Sequence, residues 1–186
     1  MFLRRGGTEP TDSPRLILVT GGARAGKSRF ALSLVEHAIC SRRLFIATAV
    51  ACDAEMKSKI ARHRKERNGL WKTLEEPSDL PRRIPERFLA KGSFLLVDCL
   101  PTFLTNLMMA GRSDKQILSR VRKLLWTCRK PGVSTLVVTN EVGLGLVPEH
   151  PMGRRFRDLL GMANQDAARS ADEVYLLVAG LPVKVK

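Results

Sequence analysis

Two groups of residues in this sequence have the types and spacing to handle phosphate. Gly21-Gly22-Ala23-Arg24-Ala25-Gly26-Lys27-Ser28 reads G-x-x-x-x-G-K-S. Glycines let backbone N–H groups turn inward on phosphate oxygens. The lysine bridges β- and γ-phosphates, and the hydroxyl after it ligates Mg²⁺. An apolar run precedes this stretch and a helical pattern follows, so the phosphates would lie at the positive end of a helix. The second group is the end of "FLLVD", where Asp98 closes four apolar residues. An acid there stands at the carboxyl end of a buried strand, where open α/β sheets bind ligands. It suits the orientation of a Mg²⁺ shell. The same aspartate could instead cap the turn that "DCLPT" begins.

Three histidines carry a further possibility. His37 continues a helical stripe, and His150 precedes Pro151 as a cap would. His63 differs. Asp53 reads as the N-cap of a helix running to about residue 67. Met56, Ile60 and His63 then share its apolar face, while Arg62, Arg64, Lys65 and Arg67 surround the imidazole. Neighbouring cations favour the neutral, nucleophilic ring, and a neutral imidazole beside a triphosphate can attack phosphorus. A half-buried packing histidine fits the same pattern, and the residues alone leave both readings open. Glu141, in "NEVG" after a strand-like run, either touches substrate or metal or simply caps its turn.

These groups need a scaffold. Strand-like runs recur at 15–20, 43–49, 93–98, 134–140 and 173–180. They are rich in leucine and β-branched residues without clean alternation, as strands buried on both faces are. One helix between the third and fourth carries Ile117, Val121, Leu124, Leu125 and Cys128 on one stripe. Another, between the fourth and fifth, carries Phe156, Leu159, Leu160, Ala163 and Ala167. Strand–helix alternation predicts an α/β fold, a mainly parallel sheet flanked by helices. The ending "VYLLVAGLPVKVK" predicts a strand, a Gly-Leu-Pro turn and a short last strand, an antiparallel hairpin at the sheet edge. The proline-rich 76–92 reads as a long surface connection. Residues 1–14 read as a flexible leader without the apolar core of a signal peptide, and 15–186 as a single nucleotide-binding catalytic domain.

With 186 residues and 44% hydrophobic content the chain can bury a real core. No apolar run approaches the roughly 18 residues of a membrane span. Cys40, Cys52, Cys99 and Cys128 form no C-x-x-C pair and read as free thiols in a reducing cytoplasm. The net charge of +14 invites polyanions. Aromatics are only 5%, too few for a base-stacking platform. Nucleotide triphosphates attract the same charge, so a small-molecule kinase and a basic nucleic-acid-binding NTPase module both stand beside any reading in which His63 acts covalently.

Longer motifs narrow the choice. "ILVTGGARAGKSRFA", "FIATA", "DAEMKSKIARHRKER" and "LLVDCLPTFLTNLM" occur in that order, followed by "VVTNEVGLGLVPEHPMGRRFRD" and "ADEVYLLVAGLPVKVK". From about residue 16 to the end, the chain resembles the bifunctional adenosylcobinamide kinase / adenosylcobinamide-phosphate guanylyltransferases of cobalamin biosynthesis. The resemblance implies a P-loop NTPase (RecA-like) fold, cytoplasmic location, a homotrimer, a corrinoid substrate rather than nucleic acid, GTP and ATP as substrates, and Mg²⁺. It implies phosphorylation of adenosylcobinamide, then transfer of GMP from GTP to that phosphate, giving adenosylcobinamide-GDP and pyrophosphate. GMP would pass through His63, with Lys27 as the second catalytic residue. Nucleotide contacts would come from Gly21, Gly22, Ala23, Arg24, Ala25, Gly26, Lys27, Ser28, Ala47, Thr48, Ala49, Arg64, Lys65, Glu66, Arg67, Glu75 and Asp98. Ser28 and Asp98 would hold the metal. Ala25 departs from the serine frequent in the family, a change that leaves the loop's backbone donors in place.

Overall fold

A computed structural model describes residues 15–36, 38, 40–49, 69–145 and 147–186. The strands are β1 (Leu16–Gly21), β2 (Arg42–Ala47), β3 (Lys72–Glu75), β4 (Ser93–Asp98), β5 (Val133–Val138), β6 (Glu173–Val178) and β7 (Leu181–Lys184). They form one sheet in the order β3-β2-β4-β5-β1-β6-β7. Every neighbouring pair is parallel except β6–β7. The mainly parallel sheet with its antiparallel edge hairpin is the architecture the sequence predicts.

The absence of alternation has its cause in two cores. Leu16, Leu18, Leu44, Ile46, Leu95 and Val97 point to one face. There they meet α3 (Leu100–Met109), α4 (Asp114–Cys128) and α5 (Pro151–Ser170) through Phe103, Leu104, Leu124 and Leu160. Ile17, Val19, Phe45, Leu96 and Leu136 point to the other face, against Ala31 and Val35 of α1 (Lys27–Glu36). The predicted stripe of α4 is buried throughout, and that of α5 is buried except for the half-buried Phe156.

Three expectations change. The 76–92 connection is no surface loop: α2 (Leu80–Arg83) and a 3₁₀ turn (Glu86–Phe88) drive Leu80, Ile84 and Phe88 into the larger core. Pro77, Pro81 and Pro85 break the helix into short pieces, yet the i, i+4, i+8 apolar spacing survives them. The last hairpin turns at Ala179 and Gly180, with φ of 51° and 86°, rather than at Gly-Leu-Pro. Positive φ at both central positions is the signature of the type I′ turn, one of the two that match the right-handed twist of a two-residue hairpin. Leu181 and Pro182 are therefore already in β7, where the missing proline N–H falls on an edge strand. Finally, a whole helix, α3, begins directly after Asp98 and Cys99 where only a turn was expected, and β3 adds an unforeseen edge strand.

Candidate functional site

The carboxyl ends of the strands converge on one edge of the sheet. β1 hands the chain to Gly22–Gly26, and α1 begins at Lys27. Gly21 adopts φ 145°, and a Cβ there would lie 2.5 Å from the Leu177 carbonyl oxygen of β6, so only glycine lets the two strands close here. Gly26 also has positive φ, 89°. The loop folds on itself through the Ala25 N–H, which donates to the Gly22 carbonyl at 3.3 Å. Arg24 takes the left-handed φ of 58°, a conformation a non-glycine residue keeps only where the surrounding loop enforces it. Lys27 is nearly buried, and its ammonium donates to the Gly22 carbonyl at 2.6 Å. The charge is thus held inside the curl of the loop.

Ser28, one residue into α1, donates from its hydroxyl to Asp98 Oδ2 at 3.4 Å. Two residues 70 apart in sequence thereby meet at the mouth of the loop. Hydroxyl and carboxylate oxygens are hard donors suited to Mg²⁺, which takes few protein ligands and completes its shell with phosphates and water. The described residues contain no cluster of three or more His, Cys, Asp or Glu that could enclose a metal by themselves.

A row of paired residues sets where Asp98 stands. Glu75 of β3 pairs with Ala47 of β2, Ala47 with Asp98 of β4, and Asp98 with Val138 of β5. Glu75 is exposed at the end of this row, Ala47 and Ala49 are half-buried, and Thr48 is fully buried. The peptide between Asp98 and Cys99 is cis. On the other side of the loop, the Glu141 N–H donates to the Gly21 carbonyl at 3.0 Å. The Glu141 carboxylate accepts from the Gly143 N–H at 2.9 Å, the turn-capping role of the two considered. His150 likewise caps α5, its Nδ1 accepting from the Met152 N–H. His63 and Arg64–Arg67 lie outside the described residues, as do His37 and the helix expected from Asp53.

Three polar groups here escaped the sequence reading. Asn106 of α3 donates from Nδ2 to the carbonyls of Thr48, at 2.8 Å, and Pro77, at 3.0 Å. Asn164 of α5 accepts from the Thr139 hydroxyl at 2.7 Å and donates to the Asn140 carbonyl at 2.9 Å, fixing the turn that follows β5. Glu76, beside the predicted Glu75, accepts from the N–H groups of Ser78 and Asp79, both at 3.0 Å, and pairs with Arg83. Burial alone would raise its carboxyl pKa, but those N–H groups and the Arg83 guanidinium hold it below the ordinary value. A lone asparagine in an apolar helix pattern was the only available signal, visible as Asn106 within "LTNLMM".

A glycine-rich turn between strand and helix, a lysine curled inside it and an acid on a neighbouring strand end define a P-loop nucleotide-binding protein. Solved structures agree on the fold. The chain aligns with a prototypical ATPase of a bacterial type III secretion system at TM-score 0.61 and 12% identity, covering 92% of this chain and 57% of that one. With EscN, the type III secretion ATPase of enteropathogenic E. coli, the values are 0.58 and 10%, over 89% of this chain and 43% of that one. The chain thus spans only about half the length of these ATPases, and the likeness is one of fold.

The family is more specific. Residues 17–185 match the model of the cobinamide kinase / cobinamide phosphate guanyltransferases, and the chain belongs to that family. It is 38% identical to the bifunctional adenosylcobalamin biosynthesis protein CobU of Escherichia coli, over 92% of this chain and 99% of the relative. It is 42% identical to the bifunctional adenosylcobalamin biosynthesis protein CobP of Pseudomonas aeruginosa, over 91% and 96%.

Proposed function

We propose that this chain phosphorylates adenosylcobinamide and then transfers GMP from GTP to adenosylcobinamide phosphate, with His63 as the covalent carrier. The observation that carries the reading is the meeting of Ser28 and Asp98, 3.4 Å apart, at the mouth of the Gly21–Ser28 loop. It supports a nucleotide triphosphate gripped by the loop amides, with its phosphate charge met by Lys27. Mg²⁺, held through Ser28 and Asp98, would supply charge neutralisation on the phosphates.

In the first reaction a hydroxyl oxygen of the acceptor bonds to the γ-phosphorus, the bond to the β-phosphate oxygen breaks, and the hydroxyl proton leaves. Lys27 stabilises negative charge growing on the departing diphosphate. In the second, a ring nitrogen of neutral His63 attacks the α-phosphorus of GTP and pyrophosphate departs. The acceptor's phosphate oxygen then attacks the same phosphorus, the P–N bond breaks, and His63 returns with its electron pair. Family membership and the basic setting of His63 in sequence support this role. Arg64, Lys65, Glu66, Arg67 and Glu75 belong to the same reading as guanine-nucleotide contacts, and so does the homotrimer.

Incubation with GTP labelled at the α-phosphorus tests it. Acid-labile, alkali-stable label should appear on the protein and vanish in His63→Ala. Active protein that turns over both substrates without ever carrying label overturns the covalent step.

A further inference from the structure

The row of strand ends that presents Asp98 is closed by a polar lock. Backbone pairing between β2 and β4 runs to Ala47 and Asp98, and the Thr48 N–H extends it by one bond to the Asp98 carbonyl at 3.2 Å. There the main-chain ladder stops, and a side chain continues it. The Thr48 hydroxyl accepts from the Cys99 N–H at 3.0 Å and lies 2.9 Å from the Cys99 carbonyl and 3.3 Å from the Asp98 carbonyl. A single residue, with none of its surface exposed, thus holds the backbone that directly follows the Asp98 side chain, the Asp98–Cys99 peptide and the Cys99 carbonyl. Thr48 is itself held: the Asn106 amide donates to its carbonyl and, with its second hydrogen, to Pro77 after β3.

We propose that Thr48 and Asn106 are positioning residues of the phosphate–metal site. They fix the Asp98–Cys99 backbone so that the carboxylate faces the Ser28 hydroxyl. Thr48, expected from the resemblance as a nucleotide contact, is fully buried with its hydroxyl committed to Asp98 and Cys99, and acts on bound nucleotide through Asp98 rather than by touching it. This inference rests on the reading of Ser28 and Asp98 as the Mg²⁺-orienting pair. The physical case is one of precision. A carboxylate that orients a metal shell must be held to within about 0.5 Å. Asp98 is the last paired residue of β4, so the ladder holds the backbone up to it, and the peptide that follows is held by the Thr48 side chain. A hydroxyl that binds both an N–H and a carbonyl does so with direction, which packing alone does not supply. Loss of such supporting hydrogen bonds behind a metal ligand commonly costs about 10- to 100-fold in metal affinity.

The test is a Mg²⁺ titration of GTP binding to the full chain, read with a fluorescent GTP derivative and with EDTA as the metal-free baseline. Thr48→Val keeps the shape and removes the hydroxyl. It should raise the Mg²⁺ concentration for half-maximal tight binding about 10-fold or more, leave GTP affinity in EDTA within about twofold, and be rescued by Thr48→Ser. Should Thr48→Val fail to fold, Asn106→Leu, which removes the amide donors at similar volume, is titrated instead and should move the Mg²⁺ midpoint in the same direction. Equal losses with and without Mg²⁺ would mean direct nucleotide contact or mere scaffolding and would overturn the proposal, as would no change in either. Asp98→Asn separates the two levels. If it alone shifts the Mg²⁺ midpoint, positioning fails and the metal assignment survives. If it shifts nothing, both fail.

Discussion

Lys27 shows how much one side chain depends on the turn around it. Its ammonium is almost out of contact with solvent and points into the loop against the Gly22 carbonyl. A compact ammonium fits that curl, whereas the planar, forked guanidinium of arginine does not. Lys27→Ala should therefore lower both phosphoryl transfer and GMP transfer by about 10²- to 10³-fold, the scale of one preorganised charge donor. Lys27→Arg should not restore either rate. Parallel turnover assays for the two reactions check this, and loss of only one would mean the lysine serves a single step. A quieter residue sits just before the loop. The Thr20 hydroxyl is buried and has no hydrogen-bond partner among the described residues. An unsatisfied buried hydroxyl is a cost that an apolar group of the same shape removes. Thr20→Val is expected to raise stability by about 0.5–1 kcal/mol, or roughly 1–4 °C in melting temperature.

The elements that position the site were legible in unequal measure. The five central strands and the faces of α4 and α5 follow from composition and period, because burial on both sides leaves a plain apolar signal. The loop and Asp98 were legible because glycine, lysine and a strand-terminal acid each answer a chemical demand. What escaped is instructive. α3 is apolar nearly all round and opens with Leu100-Pro101 directly after Cys99, so proline masked the start of a helix it is well suited to begin. β3 is four residues of edge strand, too short for a period to register. Asn106 and Asn164 bind carbonyls far away in sequence, a relation that no spacing encodes. The turn joining β6 to β7 gives this scale its own prediction. Ala179 holds a left-handed φ that alanine disfavours by about 1 kcal/mol or more. Ala179→Gly should strengthen the hairpin by several tenths of a kcal/mol, and Ala179→Asn by a similar amount, seen as a rise in melting temperature. A drop would mean that the alanine methyl is packed in a way that offsets its strain.

Across the whole molecule, the last hairpin is stapled by charge. Glu173 receives Arg15 from the start of β1, the Tyr175 hydroxyl at 2.5 Å and Lys184 of β7 at 3.2 Å. Burial pushes the Glu173 carboxyl pKa up, but Tyr175, Lys184 and Arg15 outweigh it and hold the pKa below the ordinary value. Tyr175 is pushed up to about 12, by burial and then by its bond to Glu173. The signs give a window. The carboxylate contributes stability above its ordinary pKa of 4.5, lost as pH falls below that value. The phenol contributes stability below its ordinary 10, lost as pH rises from there through about 12. Melting curves of the native chain should fall off at both ends, and Glu173→Gln should flatten the acid limb. The opposite side of this hairpin is apolar and open: Leu181, Val183 and Val185 are each about half or more exposed. If the chain self-associates through that edge, as the proposed trimer allows, Val183→Glu should shift its mass in light scattering to that of a monomer. An unchanged mass would send the search for the contact elsewhere.

The glycine that opens the loop has a wider consequence. With a neighbouring strand's oxygen 2.5 Å from where its methyl would be, Gly21 is demanded by sheet closure whether or not any nucleotide ever arrives. A descendant that had lost its chemistry would still keep that letter, while Lys27 and Ser28 drifted. Erosion of this lineage into a catalytically silent protein would therefore be read at the far end of the signature, and a search keyed to its first glycine would go on reporting an enzyme.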